Sequence, residues 1–180
     1  EDFNRLWSAE TLDDPDRKLT EELRRAREVR PWLDTVDLLL DIHSMQNRNA
    51  PLTIAGLRPK GRELARDVGY PDLVINDHGH AEGMRMRDYG GFSDPASGKN
   101  AMLVECGQHW EAAAEGVAME TAIRFLRTTA VVAPDFAEDW MADRPAPEPM
   151  QFFQVSRAVT IETDDFRFAE NWTGLERLPQ

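Results

Sequence analysis

Three short stretches of this sequence combine residue types that could do chemistry. Asn4-Arg5 pairs an amide with a guanidinium, whose planar fork can grip a carboxylate at two points while the Asn adds a donor beside it. Asp41-Ile42-His43 sets a carboxylate two residues before an imidazole; in an extended strand both side chains point to the same side, so Asp41 can orient a ring that offers a neutral nitrogen to a metal. Glu105 closes the apolar run Ala101-Met102-Leu103-Val104, and burial at a strand end would raise its pKa toward the range useful to a general base. It could then take a proton from a metal-bound water. Cys106 beside it reads as a small buried side chain, because no base and orienting group stand near it to make a nucleophile of the thiol. His78-Gly79-His80 offers two imidazoles on one face of an extended segment, with no third ligand placed, and a polar loop is the simpler reading.

The elements that must position these groups follow from pattern. Asp13-Asp14-Pro15-Asp16 reads as a helix start, the helix running to about Arg30 with Leu19, Leu23 and Ala26 inward and Pro31 marking its end. Residues 36–43 are apolar on both parities, as expected of an interior parallel strand covered on both faces. A second helix spans about Lys60 to Val68 and stops at Gly69, and Leu73-Val74-Ile75 is a short buried strand. Residues 76–100 form a Gly-rich irregular loop of the kind that usually serves function. Ala101 to Glu105 is again a strand. A helix from Trp110 to about Thr128 follows, with Ala118, Met119, Ala122, Ile123 and Leu126 on one face. Alternating strands and helices predict an α/β fold, a mostly parallel or mixed sheet with helices on both faces. Residues 1–142 form the α/β domain. Arg144 to Pro149, with three prolines, reads as a stiff linker over 143–149, and 150–180 as the start of a small β-rich unit in which Phe152, Val155, Val159, Ile161, Phe166 and Phe168 take strand spacing.

Composition narrows the function class. The 180 residues carry 21 Lys and Arg against 33 Asp and Glu, a formal charge of -12 that repels a phosphate backbone, so nucleic acid is not the expected partner. No stretch approaches the roughly 20 apolar residues of a membrane span, and the first residues do not read as a signal peptide. The single cysteine excludes an internal disulfide and fits a reducing compartment, which with the acidic charge gives a cytoplasmic expectation.

Taken in order, Asp2-Phe3-Asn4-Arg5-Leu6-Trp7, then Asp41-Ile42-His43, then Leu103-Val104-Glu105-Cys106-Gly107, the motifs resemble those of the succinylglutamate desuccinylase and aspartoacylase family, relatives of the zinc carboxypeptidases. The resemblance covers most of residues 1–130. It implies a hydrolase that uses one Zn2+ per subunit to cleave the amide bond of an N-acyl amino acid or related small N-acyl amine. His43 would be the third zinc ligand, Glu105 the general base and acid, and Asn4 and Arg5 the grip on the substrate's carboxylate. Arg87 and Tyr89, in the Gly-rich loop, would be further substrate contacts. The family's first two zinc ligands come from a His-x-x-Glu motif ahead of the Asn-Arg pair; His78, His80 and His109 do not replace it, so those ligands are expected upstream of Glu1 and the 180 residues are expected to be the central part of a larger two-domain enzyme, possible as a homo-oligomer. Two alternatives stand beside this reading: a peptidase of the zinc carboxypeptidase type, and a non-catalytic carboxylate-binding domain that lacks metal.

Overall fold

A computed structural model describes residues 1–172 and 174–176. The chain begins with a 3-10 turn, Phe3–Arg5, and the short helix α1 (Ala9–Asp13), which Ser8 caps by accepting the Thr11 N–H at 3.1 Å. Helix α2 (Glu21–Leu33) starts eight residues later than the Asp-Pro signal predicts. The reason is the cap: the Thr20 hydroxyl accepts the Leu23 N–H, Glu21 and Glu22 fill the acidic first turn, and Asp13 instead closes α1. Leu19 is left outside and exposed, while Leu23, Ala26 and Leu33 are buried. Pro31 does not end the helix. It sits in the last turn, where its missing N–H costs one bond and the Asp34 N–H still closes onto the Arg30 carbonyl.

Five strands form one mixed sheet: β1 (Leu38–Met45), β2 (Leu52–Ile54), β3 (Leu73–Asn76), β4 (Asn100–Gln108) and β5 (Gln151–Gln154), ordered β1-β4-β2-β3-β5. β1 runs parallel to β4, β2 runs antiparallel to β4, and β3 and β5 follow the direction of β2. β4, β2 and β3 are interior, and β4, the longest of them, has Ala101 to Val104 all buried. β1, predicted to be interior, is an edge among the described residues, and its Leu38 and Ile42 are exposed.

Helices cover both faces. Leu39 and Ala101 pack with Leu6, Trp7, Leu23, Ala26 and Phe92 under α2, whereas Leu40 and Met102, one residue on in each strand, pack with Leu64, Val68 and Phe125 from α3 (Pro59–Val68) and α4 (Ala113–Thr128). The period of two along each strand is what sorts the two cores. Gly69 ends α3 as predicted, in the left-handed conformation at φ 70°. α4 starts three residues after Trp110, which is exposed, and it turns Thr121, Ile123 and Phe125 inward while Met119 faces out.

The segment past the prolines departs from expectation. After a short helix α5 (Glu138–Ala142), the chain returns to the same sheet as β5 rather than opening a separate β unit. Asp72 and Asn76 carbonyls accept the N–H groups of Gln151 and Val155, and Phe152 lies under the Arg62 and Arg66 guanidiniums at 4.6 and 5.3 Å. Val159, Ile161, Phe166 and Phe168 lie in no strand and are exposed. Positions 173 and 177–180 of the expected β segment lie outside the described residues.

Candidate active site

Pairing of β1 with β4 sets His43 opposite Glu105 in register. Leu39 and Ala101 face the α2 core, so Asp41, His43, Leu103 and Glu105, each an even number of residues on, face the same side. Over that face lies the 3-10 turn with Asn4 and Arg5. Asp2 caps the turn by accepting the Asn4 N–H at 2.8 Å, and Trp7, fully buried, anchors it edge-on to the rings of Phe3 and Tyr89. The local signal is thus a cap plus an aromatic anchor, and the result is that two residues far from β1 and β4 in sequence stand above them.

The hydrogen-bond geometry determines how His43 presents itself. Its Nε2 is 2.9 Å from Asp41 Oδ1 and 3.3 Å from Asn4 Nδ2. One ring nitrogen cannot donate to the first and accept from the second. Asn4 is fixed in orientation because its Oδ1 accepts the Met86 N–H at 2.7 Å, so its NH2 faces the ring. The shorter contact is then Nε2–H donating to Asp41, and Nδ1 carries the free lone pair. Asp41, almost wholly buried, is the main reason the His43 pKa is raised; burial opposes it, and the charges of Asp41 and Glu105 assist. Glu105 is pushed up as well, first by burial, with Asp41 adding to the rise and His43, Arg85 and Arg5 opposing it. Its Oε2 is buried with no partner among the described residues. Arg5 donates from Nη1 to the Asn4 carbonyl at 2.8 Å and lies 3.6 Å from Asp2, while its Nε, also buried, has no partner among the described residues.

Not every sequence candidate joins this group. Arg87 is 3% exposed and acts as an internal latch, Nη2 donating to the carbonyls of Ala55 (3.0 Å) and Ala101 (2.9 Å) and Nη1 to Asp88. Tyr89 is a core residue whose hydroxyl donates to Asp34 and accepts from Arg30. The loop arginine whose charge does act on Glu105 is Arg85, nearly buried and held by Asp77 at 2.8 and 3.1 Å. Sequence reasoning passed it over. The alternation Met84-Arg85-Met86-Arg87 was the available signal, but alternation alone does not say which arginine turns toward the sheet end. Cys106 is buried and its thiol is pushed up to about 11 by burial, in keeping with a packing role. His109 bonds Ser44 Oγ through Nδ1 at 2.7 Å, and His78 and His80 line a different cavity.

A catalytic zinc takes three protein ligands and keeps an open position. The free Nδ1 of His43, with its ring steered by Asp41, suits one such ligand. Among the described residues no group of three His, Cys, Asp or Glu side chains is arranged to hold a metal, so a zinc set does not close on these residues.

No protein-family model matches the chain, and no curated protein does. Solved structures do. A succinylglutamate desuccinylase from Vibrio parahaemolyticus superposes with a TM-score of 0.59 at 16% identity, over 95% of this chain and 50% of that one. The enzyme of the same name from Vibrio cholerae gives 0.58 at 18%, over 94% and 49%. The product-bound ectoine utilization protein EutE (DoeB) from Ruegeria pomeroyi gives 0.55 at 14%, over 84% and 43%. The chain spans about half the length of these structures. Its fold matches the succinylglutamate desuccinylase/aspartoacylase family, the one its motifs resemble. Among the described residues no helix is long and apolar enough to cross a membrane.

Proposed function

We propose that this protein is a hydrolase that deacylates an N-acyl amino acid or related small N-acyl amine. The observation that carries the reading is the pairing of His43 with Glu105 across parallel strands, beneath the Asn4-Arg5 turn, in a fold shared with desuccinylases. Arg5, whose side chain is partly exposed, anchors the substrate's carboxylate. Glu105, its proton affinity raised by burial, takes the proton of the attacking water and returns it to the leaving nitrogen. Asp41 holds the His43 ring in one tautomer. Arg85 adds positive charge that acts on Glu105. Zinc dependence, with one ion per subunit, is the finer form of the proposal and rests on the resemblance together with the free Nδ1 of His43. The other two ligands are not among the described residues of this site, and the roles given above belong to this chain's own groups. The setting we propose is cytoplasmic, with a small molecule as the partner rather than nucleic acid.

The test is amine release from a panel of N-acetyl and N-succinyl amino acids, with metal content measured on the same sample. The Glu105→Gln protein should lose roughly 100- to 10,000-fold in turnover, the usual weight of a general base; unchanged turnover would exclude the assignment. The incomplete donor set favours one second reading, a carboxylate-binding domain without catalysis. Calorimetric binding of N-acyl amino acids that disappears in Arg5→Met, with no release at any zinc concentration, would establish that reading instead.

A further inference from the structure

Among the described residues, one edge of the sheet has no further strand on it and one strand-like segment has no sheet. β5 closes the sheet on the side away from β1. The Gln151 and Val155 N–H groups turn inward to the Asp72 and Asn76 carbonyls, so by the period of two the backbone groups of Phe152 and Gln154 point away from β3. No backbone bond meets them among the described residues. An edge of this kind is a template for another strand.

The two faces beside this edge differ in character. On the Phe152 face the Arg62 and Arg66 guanidiniums stack over the ring, and among the described residues neither takes part in an ion pair or a hydrogen bond. They stand four residues apart on α3, so two like charges are neighbours on the helix surface and repel. Glu63 and Asp67, each next to one of them in sequence, pair with neither. On the opposite face Phe153 is 40% exposed.

Residues 159–164 carry the matching pattern. In an extended chain Val159 and Ile161 share one side, and Thr160, Glu162 and Asp164 share the other. Val159 and Ile161 are 77% and 54% exposed and lie in no strand, and the Glu162 and Asp164 carboxylates have no partner among the described residues. Alternate residues of a strand stand about 6.8 Å apart, and residues four apart on a helix about 6 Å, so the two acids match the two arginines in spacing.

The segment does not fold back on its own β5. A return would need a hairpin loop over residues 155–158, and Val155-Ser156-Arg157-Ala158 holds none of the Gly, Asn, Asp or Pro residues that shape tight hairpins. Among the described residues no backbone bond closes a turn there, whereas one does at the far end of the segment, where the Phe166 N–H donates to the Thr163 carbonyl at 3.3 Å. A connection that stays extended delivers its strand to a neighbouring molecule.

We infer that residues 159–164 of a second copy of this chain pair with the β5 edge, with Glu162 and Asp164 on Arg62 and Arg66 and with Val159 and Ile161 beside Phe153. Exchange in both directions closes a two-fold dimer in which each subunit completes the sheet of the other.

The test is sedimentation of the full chain across a concentration series. The parent should show a monomer–dimer equilibrium that weakens with added salt. Arg62→Glu with Arg66→Glu should raise the dissociation constant roughly tenfold, because two exposed attractions become repulsions, and Glu162→Arg with Asp164→Arg should do the same. All four side chains are exposed, so both double variants should fold, which circular dichroism checks. An equimolar mixture of the two double variants should dimerise as the parent does, because segment and edge of opposite charge then meet in both directions. A parent that is monomeric at every concentration, a dimer indifferent to both double variants, or a mixture that associates no better than its components would overturn the inference.

Discussion

Replacing Glu105 by Gln should remove activity and at the same time stabilise the fold, and the combination is diagnostic. Glu105 is half-buried and its Oε2 is buried with no partner among the described residues, so the folded state carries the cost of a poorly solvated carboxylate. A buried polar group without a partner costs about 1–3 kcal/mol. Gln keeps the shape and leaves its own amide unpartnered, so only the charge part of the cost is relieved and a gain of about 1 kcal/mol is expected at pH 8. For a chain of this length each kcal/mol raises Tm by roughly 2–4 °C. The sign of the pH dependence is fixed by the direction of the shift. An acid whose folded pKa is raised binds its proton more tightly in the native state, so the penalty is absent where both states are protonated, below about pH 4. It grows as pH rises through the unfolded value and is complete above the raised folded one. Urea denaturation of both proteins at pH 3.5 and pH 8 should therefore show equal stability at the lower pH and a more stable Gln variant at the higher. A Gln variant that is neutral or less stable at pH 8, or that gains equally at both pH values, would refute the reasoning. A residue kept for packing alone would show no such trade between activity and stability.

Three further outcomes follow from the same geometry. The His43–Asp41 pair raises the His43 pKa, so its stabilisation is fully present below about pH 6.5 and fades as pH rises through the raised value; the difference in urea midpoint between the parent and Asp41→Asn should shrink from pH 6 to pH 9, and the His43 ring resonances of the variant should titrate at lower pH. Lys60 Nζ lies 2.5–3.1 Å from the carbonyl oxygens of Gly91, Asp94, Ser97 and Lys99, which share its three N–H donors, and so ties the 90–99 loop to α3; Lys60→Met should cost about 2–4 kcal/mol by urea denaturation, since several bonds to a charged donor are lost together. Cys106, 3% exposed and pushed up to about 11, should resist a thiol-specific reagent at pH 8 and react at once in urea, whereas rapid labelling of the native protein would contradict its burial.

The parts of the site that lie within one segment were readable in advance. Asp41 and His43 share a side because strand side chains alternate with a period of two, and Glu105 is drawn into a low-dielectric setting because the four residues before it are apolar. Gly69 stops α3 through its own backbone freedom. What depended on competition between neighbouring signals was misread: Thr20 outdoes the Asp-Pro cluster as a helix start because its hydroxyl closes a bond to Leu23, and β2, three residues long, has too little pattern to be seen.

What the sequence determined by itself, then, is local chemistry: which carboxylate sits beside which imidazole, which strand end carries an acid, and an order of motifs that resembles one family's. Only the tertiary structure decided which segments become neighbours. It set His43 across from Glu105 over sixty positions of chain, brought the charge of Arg85 rather than that of Arg87 to bear on Glu105, ran β2 against β4, and returned residues 151–154 to the edge of the sheet. The physical reason is that backbone periodicity is written into each residue's own geometry, whereas strand pairing and the direction of a loop side chain are settled by burial and hydrogen bonding between residues that sequence keeps far apart.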